Sequence, residues 1–330
     1  MDGDAGSINI WRTAQIIQAE FTMIIEGILF LVGIALLVKG ADFFVGGGSG
    51  LAARFGVSAA TVGFTVIAFG TSLPEFVVSV NAVAADDAGI ALGNVLGSNI
   101  ANIALVLALC AFIRPQLVGR NGDGHNSTLW ETGLMLAATA VFVLFALRGT
   151  LDLLAGAGML IAFAVILALL WRHGKGEEAS GVESHGNRDV LLTIAGLAAV
   201  IIGAQFVVNG AVAIAGALGV PTLVIGLSIV AVGTSLPELA TSLMAIVRGE
   251  GGISVGNILG SNIFNLLFVM GIGALIRPVP IGNLSDTLIT AAFALAVVPL
   301  FMGGDRFTRA WSLLLIAAYA GYMALIFGIV

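Results

Sequence analysis

Ten apolar stretches, near 24–45, 58–84, 90–112, 128–148, 151–171, 190–216, 221–247, 253–275, 285–303 and 309–328, leave this chain of 330 residues little room for anything but membrane spans. A helix needs ~20 apolar residues to cross the hydrocarbon layer, whereas a barrel strand needs only about 9–11. Every backbone N–H and C=O inside lipid must be bonded within the protein, so stretches of this length predict an all-α membrane protein. Composition agrees: 59% of residues are hydrophobic, 10% are charged and the mean hydropathy is +1.10, where soluble domains carry roughly 25% charge. A net charge of −6, with the 13 basic residues spread over loops, gives no surface for nucleic acid. The single cysteine, Cys110, lies in an apolar run and reads as packing, and it excludes an internal disulfide.

The chain repeats itself. GTSLPEF at 70–76 returns as GTSLPEL at 233–239, GNVLGSNIAN at 93–102 as GNILGSNIFN at 256–265, and Ile113-Arg114-Pro115 as Ile276-Arg277-Pro278, each shifted by 163 positions. An ungapped match therefore runs from 40–115 onto 203–278. Five spans per half oblige the second half to enter the membrane from the opposite side, the inverted repeat of many secondary transporters. The expected layout is an N-terminal extension over 1–23, a first five-helix repeat over 24–171, a linker over 172–189 and a second five-helix repeat over 190–330. Residues 1–22 lack a basic start, an apolar core and a small-residue cleavage site, and read as an irregular extension.

Loop charge predicts orientation. Arg54, Arg114, Arg120, Arg172, Lys175, Arg188, Arg248, Arg306 and Arg309 fall on the side of the loops after helices 1, 3, 5, 7 and 9, against Arg12, Arg148 and Arg277 on the other. The richer side is expected to be cytoplasmic, with both termini outside and the 172–189 loop inside a cell membrane. That loop is too short for a folded Ca²⁺-sensing domain and lacks an EF-hand pattern.

Pro74 and Pro237 sit inside the second and seventh stretches, where each removes a donor and crowds the carbonyl four residues back, at Gly70 and Gly233. Such helices open, and open backbone at membrane depth belongs where it lines a buried site. Thr71 and Glu75, like Thr234 and Glu238, are four apart and share a helical face. Ser98 and Asn102, and Ser261 and Asn265, repeat that spacing on the next helices. A lone proline is commonly a kink, and a lone G-x-x-x-G such as Gly93/Gly97 or Gly256/Gly260 is commonly packing. A glutamate at mid-membrane depth costs ~2.5–3.5 kcal/mol to insert and is functional by default. The converging groups are carboxylates, hydroxyls, amides and carbonyls with no imidazole or thiolate, a donor set for Na⁺, Ca²⁺ or Mg²⁺.

GTSLPE in duplicate, each copy followed by GN-x-x-GSNI, resembles the α-repeats of the cation/Ca²⁺ exchanger superfamily, whose members include Na⁺/Ca²⁺ exchangers and their prokaryotic relatives. The resemblance spans nearly the whole chain. It implies a secondary antiporter exchanging Ca²⁺ for Na⁺ by alternating access, with inorganic cations as substrates, the bilayer as surroundings, no cofactor and no obligatory protein partner. By the same resemblance Glu75 and Glu238 are the central ligands. Thr71, Ser72, Thr234, Ser235, Ser98, Ser261, Asn102, Asn265 and the carbonyls of Ala68 and Ala231 complete the set. Some relatives have aspartate where this chain has Asn265. With two carboxylates, one Ca²⁺ or two protons neutralise the site while three Na⁺ leave one positive charge over, so H⁺ stands as the alternative counter-ion.

Other readings are weaker. A passive cation channel would line a pore with the same oxygens. An intramembrane hydrolase using Ser72 or Ser235 would need a base, and His125, His173 and His185 all lie in loop segments. GGGSG at 46–50 lacks the GK[ST] ending of a phosphate loop and reads as a helix end. Lys39 and Asp42, at helical spacing, read as a local ion pair, and Asp86, Asp87 and Glu250 as solvated loop acids. Asn126 opens a glycosylation sequon, but on the side expected to be cytoplasmic.

Overall fold

The computed structural model describes residues 4–118, 125–174, 184–218 and 233–326, with side chains omitted over 4–22 and 125–127. Helix α1 spans Asp4–Phe55. A bent pair follows, α2 (Ala59–Thr71) and α3 (Leu73–Ala84), and then α4 (Ala88–Ile113). Next come α5 (His125–Ala146), α6 (Leu153–Gly174) and α7 (Asn187–Ala217). The remainder is α8 (Leu236–Arg248), α9 (Gly251–Ile276), α10 (Leu284–Met302) and α11 (Asp305–Ile326). Among the described residues eight helices are long and apolar enough to cross a membrane, and the bent pair makes a ninth. The stretch expected over 221–247 is described only from Gly233 onward. The helical expectation gains one small exception, a two-residue antiparallel pair of β1 (Thr150–Leu151) with β2 (Val279–Pro280).

Helix starts follow their caps. Asp87 accepts from Ile90 N at 3.3 Å ahead of α4, and Asn283 from Ser285 N at 3.1 Å ahead of α10. Asp152 accepts from Ala155 N at 2.9 Å ahead of α6 and from Arg148 at 2.7 Å. The Ala155 N–H, followed by Arg148, holds the Asp152 carboxyl below its ordinary range. Helix α8 stops at Gly249, whose φ of +85° a side chain would oppose.

Cross-helix contacts sort the loops into two ends. At one end Phe55 packs against Trp171 with tilted rings 6.0 Å apart centre to centre, Ser58 N donates to Gly174 O at 3.2 Å, and the Trp130 ring lies 5.4 Å from that of His173. At the other, β1 pairs with β2 and Arg277 meets Asp86 at 3.0 Å. Helices α4 and α9 form the centre: 72% and 83% of their apolar stretches are buried in protein, against 28% for α6 and α7. The second G-x-x-x-G is a contact of this centre, because a Cβ on Gly256 or Gly260 would collide with the carbonyls of Ala60 and Phe64 on α2.

Three sequence expectations change. Residues 4–22 continue α1 as helix and are not an irregular lead. GGGSG lies inside α1 and not at its end: Gly46 backs onto the Arg248 guanidinium, Gly47 onto Thr193, Gly48 onto Ile67 and Gly50 onto the Asp189 carboxylate, so side chains from three neighbouring elements crowd this stretch. Asp42 pairs with Arg248 on α8 at 2.8 Å and not with Lys39. As for the loop acids, Asp86 is held by Arg277 and Asp87 is a helix cap.

Candidate cation-binding site

Both proline motifs produce the same backbone. Ser72, at φ −85° and ψ 6°, separates α2 from α3 with a bend of 48°, and Ser235, at −86° and 4°, precedes α8. The proline stands in the first turn of α3 and of α8, where a missing N–H costs least, so the backbone turns at the serine ahead of Leu-Pro in each copy. Glu75 and Glu238 therefore sit in the first turn of their helices, both fully buried. A further loosening of the helix accompanies the amide pairs, with π-helical turns over Asn102–Leu107 and Phe264–Val269.

The structure brings together most of the expected ligand set. Ser72 Oγ donates to Glu238 Oε1 at 2.9 Å, and Ser261 Oγ lies 3.5 Å from the same atom. Thr234 and Ser98 are the hydroxyl neighbours of Glu75, though neither hydrogen bonds to it. Thr71 Oγ1 donates to Asn257 Oδ1 at 3.0 Å. The Ala68 carbonyl is in place but already accepts from Ser72 N at 3.1 Å and Thr71 Oγ1 at 3.3 Å. Ala231 lies outside the described residues.

Seven buried side-chain oxygens of this set have no hydrogen-bond partner among the described residues: both carboxylate oxygens of Glu75, Oε2 of Glu238, Oδ1 of Asn102 and Asn265, Oγ1 of Thr234 and Oγ of Ser235. A buried acceptor left unpaired costs ~1–3 kcal/mol, more when charged, and one or two are tolerated. Carboxylate, amide and hydroxyl oxygens of this kind are the donors a hard cation takes, and such an ion would supply the missing partner. No group of three or more His, Cys, Asp or Glu occurs among the described residues, so the acidic count here is two.

Sequence reasoning passed over four asparagines of the same motif. Asn94 donates to Ser79 at 2.9 Å and to the Glu75 carbonyl at 3.3 Å, and its repeat equivalent Asn257 donates to Ser242 at 2.9 Å. Asn99 and Asn262 join α4 to α9 across the middle of the protein, Asn99 Nδ2 donating to Asn262 O at 3.1 Å and Asn262 Nδ2 to Asn99 O at 3.5 Å. The signal was available, because all four recur at the 163-residue shift.

Two apolar cavities flank the site. One of about 490 Å³ runs between α3, α7 and the start of α8 and touches Thr234. The other, of about 900 Å³, lies between α2, α6 and α7 and ends at Trp171 and Arg172.

The family model described as sodium/calcium exchanger protein matches twice, over residues 26–172 and 189–328. The chain is 30% identical over 350 residues to the sodium/calcium exchanger MaX1 of Methanosarcina acetivorans, covering 91% of this chain and 98% of that one. It is 35% identical over 308 residues to the uncharacterized membrane protein MJ0091 of Methanocaldococcus jannaschii, covering 90% and 97%. Among solved structures, the sodium-calcium exchanger NCX_Mj soaked with zero Na⁺ and Ca²⁺ superposes with a TM-score of 0.79 at 32% identity, covering 92% of this chain and 99% of that one.

Proposed function

Because the chain belongs to the sodium/calcium exchanger family, we propose that it is a secondary antiporter moving Ca²⁺ against Na⁺ by alternating access. In this reading ten spans form two inverted repeats, both termini lie outside, the 172–189 loop is cytoplasmic, and the cations are cargo with no resident cofactor. The observation that carries it is the set of seven unpartnered oxygens, all on residues of the duplicated motifs. Glu75 and Glu238 supply the two negative charges that one Ca²⁺ balances. Without an ion those charges stay buried and oppose each other, so the empty protein crosses between its open states poorly and movement of one ion is tied to return of another.

Protons are the second reading, favoured by the charge count: with Asn265 neutral and no third carboxylate grouped with the two glutamates among the described residues, two H⁺ match the site as well as one Ca²⁺. The test is Ca²⁺ uptake into proteoliposomes loaded with Na⁺, with acid, or with K⁺ alone. Uptake driven only by the Na⁺ gradient supports the first reading and uptake driven only by acid the second, while uptake at one rate in all three would indicate a channel and overturn both.

A further inference from the structure

The amides of Asn102 and Asn265 could face a cation with either the oxygen or the NH₂, and only the oxygen binds it. A chain of hydrogen bonds removes the choice. Asn99 Nδ2 donates to the Asn262 main-chain carbonyl at 3.1 Å, and a carbonyl accepts only. Asn99 Oδ1 is thereby turned the other way, toward Asn265, where it accepts from Nδ2 at 3.1 Å. Asn265 must then present its NH₂ to Asn99, and its Oδ1 is left buried and unpartnered. The mirror chain runs from the Asn99 carbonyl through Asn262 Nδ2 at 3.5 Å and Asn262 Oδ1 to Asn102 Nδ2 at 3.2 Å, and Asn102 Oδ1 is likewise left free. All four residues are at most 1% exposed, so water cannot replace these partners cheaply.

We propose that Asn99 and Asn262 are positioning residues: each occupies the amide NH₂ of its partner in the other repeat, Asn265 or Asn102, so that the partner's carbonyl oxygen faces the transported cation. The proposal rests on the reading of this pocket as a Ca²⁺ site. It assigns a task to the asparagine of GSN in each copy. It also gives Asn265 a consequence beyond charge, because an aspartate there has no N–H for Asn99 Oδ1 and would set two acceptors against each other unless Asn99 turned over.

The experiment is a double-mutant cycle on purified protein, read as Ca²⁺ affinity in equilibrium binding. Asn99→Ala and Asn265→Ala should each weaken Ca²⁺ binding by on the order of tenfold. Asn99→Ala added to Asn265→Ala should weaken it little further, since Asn99 acts through Asn265. The pair Asn262 and Asn102 should behave alike, while the cross-combination of Asn99→Ala with Asn102→Ala should be additive. If Asn99→Ala fails to fold, Asn99→Ser, with a side chain too short to span to Asn265, replaces it in the cycle. A merely structural role predicts lower thermal stability with unchanged Ca²⁺ affinity, or additivity in the 99/265 pair, and either result overturns the proposal while leaving the antiporter reading standing. Failure of the wild type to bind Ca²⁺ overturns both.

Discussion

In the first copy of the repeated motif Ser72 reaches across to Glu238 and Thr71 to Asn257, whereas in the second Ser235 and Thr234 bond to neither Glu75 nor Asn94. The residues are the same, and the backbone angles of Ser72 and Ser235 agree within a few degrees. The motif residues themselves therefore do not account for the difference, which leaves the setting of each copy in the rest of the protein. One unduplicated contact bears on that setting: Asp42 ties α1 to Arg248 of α8, while their repeat equivalents, Gln205 and Ala85, cannot form an ion pair. In the antiporter reading an engaged copy and a disengaged copy are the two postures each half adopts in turn.

The strongest challenge to that comparison is to remove a charge from each half separately. Glu75→Gln and Glu238→Gln keep shape and remove the negative charge a divalent ion requires, so each should abolish Ca²⁺ transport in proteoliposomes, by a hundredfold or more if a buried charge pairing of ~3 kcal/mol is lost. A variant retaining half the wild-type flux would take that glutamate out of the site and leave the two copies with different tasks.

The hydroxyls sharpen the comparison next. A hydrogen bond to a charged group contributes ~1.5–3 kcal/mol, enough to shift a two-state population about tenfold or more. Ser72→Ala removes such a bond in the posture described here, and Ser235→Ala would remove one only in the opposite posture. The two variants should therefore displace the conformational balance in opposite directions, read as hydrogen-exchange protection of α3 against that of α8. Displacement in the same direction would mean that the unequal bonding does not reflect alternating postures.

Asn265→Asp makes the site unequal in charge. A third carboxylate balances three Na⁺ and leaves the Ca²⁺-bound form with one excess negative charge, and one charge is worth about 2.3 kcal/mol per 100 mV of membrane potential. Ca²⁺ exchange at clamped potential should differ in voltage dependence between variant and wild type. Equal dependence in two active proteins would free the coupling from the charge at 265.

The smallest effect is expected at the tie itself. The Asp42–Arg248 pair is more than a third exposed on the arginine side, and such pairs contribute ~0–1 kcal/mol. Arg248→Ala should change the ratio of α3 to α8 protection severalfold at most, with Ca²⁺ affinity unchanged. No change in that ratio would remove the tie as a source of the asymmetry.

Much of this architecture was legible in the sequence because lipid allows so few solutions. Eight of the ten expected apolar stretches appear as helices within a few residues, while α1 runs well past both ends of 24–45 and 221–247 is described only from Gly233; the backbone turns at the serine ahead of Leu-Pro in both copies. The candidate site was legible through Glu75 and Glu238, whose insertion cost singles them out. What escaped was set by packing between distant segments. GGGSG reads locally as a helix stop, yet it lies inside α1, where Thr193, Ile67, Asp189 and Arg248 of other elements leave no room for side chains at its glycines. Asp42 finds Arg248 206 residues away and not Lys39 one turn back. The cross-repeat amide belt of Asn99 and Asn262 needs the meeting of α4 and α9, which no spacing rule encodes.

The central claim, that the two halves share one cation between their glutamates, is tested most directly by soaking crystals of the protein in Ca²⁺ or its heavier analogue Sr²⁺ and locating the ion by anomalous scattering. The account predicts a peak between Glu75 and Glu238, within about 2.3–2.6 Å of carboxylate oxygens from both for Ca²⁺, and with Asn102 Oδ1 or Asn265 Oδ1 turned toward it. A saturated crystal whose ion lies elsewhere, or touches one glutamate and not the other, would contradict it.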